Sequence, residues 1–392
     1  MKLDRTITIP VNCNKKDYLY LKSCQKEAAK IWNDCVDLSE MLFDNDEYIS
    51  KRNLKWMNKN YSEILGSHVV QTIYFKFISM RKSAIMSRKT GRKDVRFPYK
   101  HKEIWNPVWD YMSFRKDKTK NEILISRPNK DHKNQISVRI KTKIQMPDNM
   151  YKCELVEKNG KLFLAINYHK EIPDVKPQSN VKCGVDLGEI HSIAAVSSNG
   201  DKLIITGRKL RSYYRFYNKE FDRLNVRLKK CVNGSKNYWK YRNTIEKLVC
   251  KLDKKVNYHL NVTACRFVDW CFVRGIDEIF IGDLSKFNMN LNAGKQNRRL
   301  CNWSHGMLTK LIQDKCEQIG IKVNIISEKF TSQICNNCGN KYKPTDRNYI
   351  CNCGYKEHRD INAASNILSK GLNDEIIQIR LINKELKYLR IA

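Results

Sequence analysis

Hydrophobic and polar positions follow different periods along this chain, and the switches between them divide it. Residues Met1 to Val11 (MKLDRTITIPV) set Leu3, Ile7, Ile9 and Val11 among polar neighbours, which predicts a strand. From Lys15 to about Ser87 the spacing turns helical. Leu19, Tyr20, Cys24, Ala28, Ile31, Trp32 and Cys35 recur at three- and four-residue steps, followed by Val69, Val70, Ile73, Phe77 and Met80, and these aromatics read as helix core. Period two returns between Glu122 and His169, in NEILISRP, QISVRIKTK and KCELVEKNGKLFLAINYH, with Asn159-Gly160 as a hairpin turn. A first strand that precedes the helices must find partners after them, so residues 1 to about 170 predict strands interrupted by a helical insertion. Ile172 to Asn180, with two prolines, predicts a linker.

Beyond it, Val181 to Val185 is a predicted strand that ends at Asp186. Ile190 to Val196 is a second, and the turn Ser198 to Asp201 leads into a third at Leu203 to Thr206. Three antiparallel strands with an acid on the first are the opening of an RNase H-like fold. Leu210, Tyr214, Tyr217, Phe221, Leu224 and Leu228 then hold near-heptad spacing. After a turn at Val232 to Ser235, Ile245, Leu248 and Leu252 begin a second helix reaching about Val273, which predicts a helical hairpin. An apolar strand at Ile276 to Leu284, a helix at about Leu300 to Ile319 and a strand at Ile321 to Glu328 predict a parallel crossover. The tail after Lys370, with Ile376, Ile377, Ile379 and Leu381, reads as helical, and no repeat of solenoid period is present.

Charge narrows the function. The 392 residues allow two or three domains, and a hydrophobic fraction of 41% is that of a folded protein. Against 41 acidic residues stand 74 Lys and Arg, a net charge of +33, and an excess of that size calls for a polyanionic partner, nucleic acid. A membrane partner is not expected: no apolar run is long enough to span a bilayer, and MKLDRTITIP lacks a signal peptide's apolar core. The expected location is intracellular, cytoplasmic or nucleoid in a prokaryote. Arg81 to Lys100, with eight basic residues and one acid, is a candidate phosphate-tracking surface. In a reducing compartment the fifteen cysteines are buried thiols or metal ligands rather than disulfides.

Two cysteine pairs stand apart from the others. Cys335-x2-Cys338 and Cys351-x-Cys353 are separated by twelve residues, with Gly339 and Gly354 directly after each pair. Thiolates on two tight turns can point at one tetrahedral Zn²⁺, so the pattern predicts a zinc ribbon, and four thiolates leave no open position, which makes the metal structural. The one-residue gap of the second pair tightens its turn without forbidding coordination.

Carboxylates form the second constellation. Phosphodiester hydrolysis by two Mg²⁺ ions about 3.5–4 Å apart needs three or more converging carboxylates, and oxygen ligands suit that hard cation. Asp186, at the end of an apolar strand with Gly188 close behind, is one candidate. Asp360 in HRDINAASNIL is another, at a helix start where an N-cap is the competing role.

GVDLGEIHSIAAV, IFIGDL, TSQICNNCG and YICNCGYKEHRDINAASNIL together resemble the TnpB family, transposon-encoded RNA-guided nucleases ancestral to type V CRISPR effectors, with eukaryotic relatives called Fanzors. The resemblance covers Val181 to Leu368 by motif and the N-terminal half by layout only. It implies an α/β architecture: a RuvC nuclease domain of RNase H-like fold at residues 176–392 carrying a zinc ribbon at 331–357. At 1–175 it implies a wedge β-barrel with a helical recognition insertion at about 15–100. It implies a transposon-derived guide RNA and double-stranded target DNA as partners, with Mg²⁺ and Zn²⁺ as metals. Asp186 falls on the first RuvC motif and Asp360 on the third.

The second motif departs, because the family's usual glutamate is Gly282 here. Asp283 is adjacent, but neighbours along a strand face opposite ways. Glu328 ends the next predicted strand. Were that strand beside Ile276 to Leu284, about 4.8 Å away, its side chain would span the gap over Gly282, and some branches of the family carry a relocated glutamate there. The expected reading is an RNA-guided DNA endonuclease using Asp186, Glu328 and Asp360. Its competitors are a nuclease-dead RNA-guided DNA-binding repressor and a DDE-type transposase.

Overall fold

The structure is a computed structural model. It describes residues 2–44, 51–92, 94–117, 119–128, 137–158, 160–171, 179–283, 304–342, 344, 346–379 and 381–391. Asn159, most of the expected linker (172–178), Leu284 and the expected helix start at 300–303 lie outside the described residues. Two units divide the chain at Glu171 and Ile172.

In the first unit, β1 (Lys2–Pro10) precedes helices α1 (Lys15–Asp44), α2 (Lys51–Leu65) and α3 (Ser67–Lys89). The strands β2 (Val108–Asp110), β3 (Phe114–Lys116), β4 (Glu122–Ser126), β5 (Ser137–Lys141), β6 (Met150–Lys158) and β7 (Lys161–Glu171) follow. As the hydrophobic pattern requires, β1 pairs across the helical insertion with β7, antiparallel from Lys2↔Glu171 to Pro10↔Phe163. The strands form a four-stranded sheet, β1-β7-β6-β2, and a three-stranded sheet, β3-β4-β5. Ile31, Trp32, Val70, Ile73 and Phe77 are buried with Ile9, Leu155 and Leu164 in one core. The basic segment after α3 divides. Arg81 is buried against Ser39, whereas Lys82, Arg88, Lys89, Arg92, Arg96 and Lys100 are exposed.

The second unit is built on a six-stranded sheet. Its first three strands are β8 (Val181–Asp186), β9 (His191–Ser197) and β10 (Lys202–Thr206). Helices α4 (Arg208–Lys229) and α5 (Lys236–Val273) form the hairpin, with Ser235 Oγ capping α5 by accepting from Tyr238 N–H. Then come β11 (Ile276–Asp283), α6 (His305–Glu317), β12 (Lys322–Ser327), the short ribbon strands β13 (Asn348–Ile350) and β14 (Lys356–His358), α7 (Arg359–Asn373) and β15 (Leu386–Arg390). The sheet order is β12-β11-β8-β9-β10-β15. β8-β9-β10 are antiparallel neighbours, and β11 and β12 are parallel additions.

Alternation along these strands sorts the two faces. Cys183, Val185, Ile193, Ala195, Leu203, Ile205, Ile279 and Ile281 point into a core with Leu260, Phe267 and Ile312 of α5 and α6. Ala194, Val196, Ile204 and Phe280 point the other way, toward Ile361, Ala364, Ile367 and Leu368 of α7. Covered on both sides, β9 is buried at every residue. On the α7 face the approach is closest at Gly184, where an added Cβ would lie 2.2 Å from the Ala364 carbonyl oxygen and 2.4 Å from the Leu368 nitrogen. Only glycine lets this helix backbone sit on β8. Period two then carries Asp186 onto the same face as Gly184, beneath the start of α7.

The tail departs from its helical expectation. Asp374 adopts a left-handed φ of 62° and ends α7 at Asn373. Residues 375–379 and 381–385 are without helix or strand, and β15 then adds to the sheet edge parallel to β10. The apolar tail residues do not need a helix to be covered: Ile379 packs with Phe280, Ile367 and Leu368, and Leu381 reaches both clusters on the α7 face.

Candidate active site

Three carboxylates from separate stretches of sequence meet at the C-terminal ends of β8 and β11. Asp186 ends β8 and is half-buried. Burial pushes its carboxyl well above the ordinary carboxylate range, and the negative charges of Asp360 and then Glu328 push it further.

Glu328 lies one residue beyond β12. That strand does pair with β11, with Gly282↔Ile326 and Asp283↔Ser327 in register. The Glu328 side chain turns back over the glycine. A Cβ built on Gly282 would sit 3.0 Å from Glu328 Oε2 and 3.1 Å from its Cβ. The carboxylate thus fills the space that a side chain at 282 would take. Burial and the charge of Asp283 push it up to about 7, so it is not the exposed strand-end acid that its position in sequence allows. Asp283, set aside by alternation, therefore belongs to the electrostatic surroundings of Glu328.

Asp360 is not the N-cap of α7. His358 holds that place, its Nδ1 accepting from Asp360 N–H at 3.2 Å. The Asp360 carboxylate is buried, with 8% of the side chain exposed. Its Oδ2 lies 2.8 Å from His191 Nδ1 and 3.2 Å from an Arg347 guanidinium nitrogen, and its Oδ1 lies 3.4 Å from Arg359 Nε. Burial alone would raise this carboxyl, but the His191 hydrogen bond and the nearby His358, Arg347 and Arg359 hold it below its ordinary value. Asp186 and Asp360 are thereby driven in opposite directions.

The ribbon stands between Glu328 and Asp360 in sequence. Cys335, Cys338, Cys351 and Cys353 bring their sulfurs within 4.8 Å of one another. The closest pairs are Cys338–Cys351 at 3.5 Å and Cys335–Cys353 at 3.8 Å. Gly339 and Gly354 take left-handed φ angles of 75° and 85°, the conformation a turn after each pair requires. Burial raises the Cys335 thiol to about 12, while the Asn337 amide and Tyr355 N–H bring Cys353 down to about 6. A divalent metal is what four such sulfurs suit, and it favours all of them as thiolates.

Sequence reasoning missed the groups that support these side chains. His191 lay unremarked inside GVDLGEIHSIAAV, and His358 and Arg359 directly before Asp360. Asn362 and Asn366, fully buried on α7, dock the ribbon. The Asn362 amide donates to Ile334 O at 2.9 Å, and that of Asn366 to Thr331 O at 2.8 Å and Ile334 O at 2.7 Å. The signal available was their i, i+4 spacing with Asp360 two residues before the first. His191, His358 and Asp360 also offer ligand atoms within 4.8 Å of one another.

Two family models match on either side of this site. "Probable transposase" covers residues 165–288, with Asp186 and Gly282, and "Cas12f1-like, TNB domain" covers 305–367, with Glu328, the four cysteines and Asp360. Among curated proteins, the TnpB-like protein ORF457 of Acidianus two-tailed virus is 25% identical over 218 residues, 54% of this chain and 46% of that one. The CRISPR-associated endodeoxyribonuclease Cas12f1 of Sulfoacidibacillus thermotolerans is 28% identical over 236 residues, 56% of this chain and 53% of that one. The chain spans about half the length of the curated relatives it matches. In fold it is similar to Cas12f1 in a complex with sgRNA and target DNA, at a TM-score of 0.65 and 14% identity, covering 93% of this chain and 98% of that one. With both family models placed on the residues that form the site, the chain is similar to TnpB-like proteins and to the type V CRISPR effector Cas12f1.

Proposed function

We propose that this protein is an RNA-guided endonuclease that cleaves double-stranded DNA in a RuvC-type site formed by Asp186, Glu328 and Asp360. The observation that carries the reading is the placement of Glu328 over Gly282: a glutamate is missing from one strand, and another enters the same space from its neighbour. The sheet order, with three antiparallel strands extended by two parallel ones, supports an RNase H-like domain.

The donor set fits a hard divalent cation, because three carboxylates crowd together, and Asp186 is raised by burial and further by the charges of the other two. Bound Mg²⁺ would supply an activated water and stabilise the leaving oxygen. The chain's own residues do the rest. Glu328 and Asp186 must give up their protons to act as ligands. Asp360 is held ionised by His191 and the two arginines, and Arg347 and Arg359 bring positive charge beside a scissile phosphate. The four cysteines suit structural Zn²⁺. A guide RNA and target DNA as partners agree with the net charge of +33 and with the complex in which the Cas12f1 fold was solved.

The test is to sequence RNA that copurifies with the full chain, then assay Mg²⁺-dependent cleavage of a plasmid carrying the matching target. A discrete RNA, guide-dependent cutting and loss of cutting in Asp186→Ala are expected. Guide-dependent binding without cutting would instead establish a repressor, and strand joining without RNA a transposase.

A further inference from the structure

The tail that the sequence reads as a helix ends in β15, and β15 reaches the candidate active site through two hydrogen bonds. Tyr388 sits opposite Ile204 in the β10–β15 register. Its hydroxyl oxygen lies 3.0 Å from His191 Nε2, and the other ring nitrogen, Nδ1, lies 2.8 Å from Asp360 Oδ2. The imidazole is buried, at 5% side-chain exposure, and packs edge-on against both the Tyr388 and the His358 rings.

Donor and acceptor chemistry orders this chain. A carboxylate oxygen only accepts, so Nδ1 carries the proton it gives to Asp360. In the neutral ring Nε2 is then the acceptor, and the Tyr388 hydroxyl donates to it. The carboxylate selects the Nδ1–H tautomer, and the Tyr388 hydroxyl, by donating to Nε2, holds that tautomer and the ring orientation that aims Nδ1–H at Asp360.

The segment leading into β15 is anchored to the ribbon, to the β9–β10 turn and to β10. Asn336 of the ribbon donates to Ile379 O at 3.4 Å, Lys384 pairs with Asp201 of the turn at 3.1 Å, and the Lys202 ammonium of β10 donates to Asn383 Oδ1 at 2.7 Å. The Ile382 carbonyl oxygen rests on Gly200, where a Cβ would stand 1.9 Å away. The hydroxyl's position is therefore set by the fold rather than by the reach of a loose terminus.

We propose that Tyr388, acting through His191, is a positioning residue for Asp360, so that docking of the C-terminal strand tunes the divalent-metal affinity of the site. This rests on the carboxylate reading above, with Asp360 as a metal ligand. Tyr388→Phe keeps the ring and removes the hydroxyl. His191→Asn keeps an amide donor in the region of Nδ1 and loses the Tyr388 partner.

The experiment measures Mn²⁺ binding to the full chain by calorimetry, in wild type, Tyr388→Phe, His191→Asn and the double variant. It also records ¹⁵N spectra of histidine-labelled protein for the His191 tautomer. The expected results are an Nδ1–H tautomer in wild type, a changed His191 Nε2 signal in Tyr388→Phe, and Mn²⁺ affinity weakened roughly tenfold, the low end for loss of a ligand's outer partner. In the His191→Asn background, Tyr388→Phe should have no further effect. Unchanged Mn²⁺ affinity and an unchanged His191 spectrum in a folded Tyr388→Phe protein would overturn the proposal while leaving the carboxylate reading intact. Wild-type protein whose Mn²⁺ binding is unaffected by Asp186→Asn would overturn both.

Discussion

The sharpest consequence of the site geometry concerns the exchange between positions 282 and 328. A methyl group added at Gly282 would stand 3.0 Å from Glu328 Oε2, 3.1 Å from its Cβ and 3.2 Å from Ile367 Cδ1. Favourable carbon contacts lie at about 3.5–4.0 Å, so the glutamate must retreat by roughly 0.4 Å or more. A misplacement of about 1 Å costs on the order of 10²-fold in rate, which puts Gly282→Ala near a tenfold loss. Glu328→Ala removes the carboxylate itself and should cost more than the roughly 10–100-fold seen for outer-sphere partners. Gly282→Glu alone sets two carboxylates in one space and should also be impaired. The combination of Gly282→Glu with Glu328→Ala returns the acid to the neighbouring strand, and it should cleave faster than Glu328→Ala alone. The assay is single-turnover cleavage of a guide-matched plasmid in Mg²⁺, with melting temperature and zinc content recorded for each variant. Wild-type cleavage by Glu328→Ala would refute the reasoning outright. A well-folded double variant no better than Glu328→Ala would refute the equivalence of the two positions.

Three other outcomes follow from the same structure. The raised carboxyl of Glu328, at about 7 against an ordinary 4.5, favours the proton in the folded protein, so its contribution to metal-free stability falls as pH rises from about 4.5 to 7. Metal must displace that proton: the Mn²⁺ dissociation constant should rise as pH drops below 7, and calorimetry on Glu328→Gln should show this pH dependence reduced. Purified protein should hold about one zinc per chain by mass spectrometry, and Cys335→Ser should lose it together with the ribbon's protection from proteolysis. Asn366→Ala strands the Thr331 carbonyl and removes one of the two amide donors to the Ile334 carbonyl, a loss of about 1–3 kcal/mol, readable as a lower melting temperature with guide and metal absent.

Much of the second unit was legible because its residues obey one period at a time. Val181 to Asp186 and Ile276 to Asp283 are apolar on both faces, and both turned out to be central strands covered by helices on each side. The cysteine pairs were legible because four thiolates at that spacing have few other uses. The position of Glu328 beside Gly282 was expected only through the family resemblance, which implied an acid where this chain has glycine, and through the pairing of β12 with β11. The tail was misread because Ile376, Ile377, Ile379 and Leu381 fit a helix face as well as an extended segment, and the break falls on Asp374, a residue that tolerates the left-handed region. Nor could LKYLR announce a strand: as an edge, it buries no alternating face. His191 and Tyr388 were invisible for another reason. Each acts through a partner far away in sequence, and one chain carries no trace of that pairing.

The asparagines of α7 also change what the ribbon does for the site. Four thiolates around a metal fix the ribbon's own fold, but they do not by themselves fix where Glu328 stands relative to Asp360. That link runs through Thr331. Its N–H donates to the Glu328 carbonyl at 3.2 Å, and its own carbonyl accepts from Asn366 at 2.8 Å, on the helix that begins beside Asp360. Two hydrogen bonds thus tie the backbone of one acid to the helix carrying the other, while Asn362 and Asn366 both hold Ile334, next to the first metal-binding cysteine. A metal held by the four cysteines would therefore act in series with the asparagines: it would shape the loop that presents these carbonyls, and the amides would convert that shape into a spacing between carboxylates. A change confined to the ribbon should then reach the proposed active site mainly through Thr331 and Ile334, so that Cys335→Ser is expected to lower the proposed cleavage without removing any DNA contact.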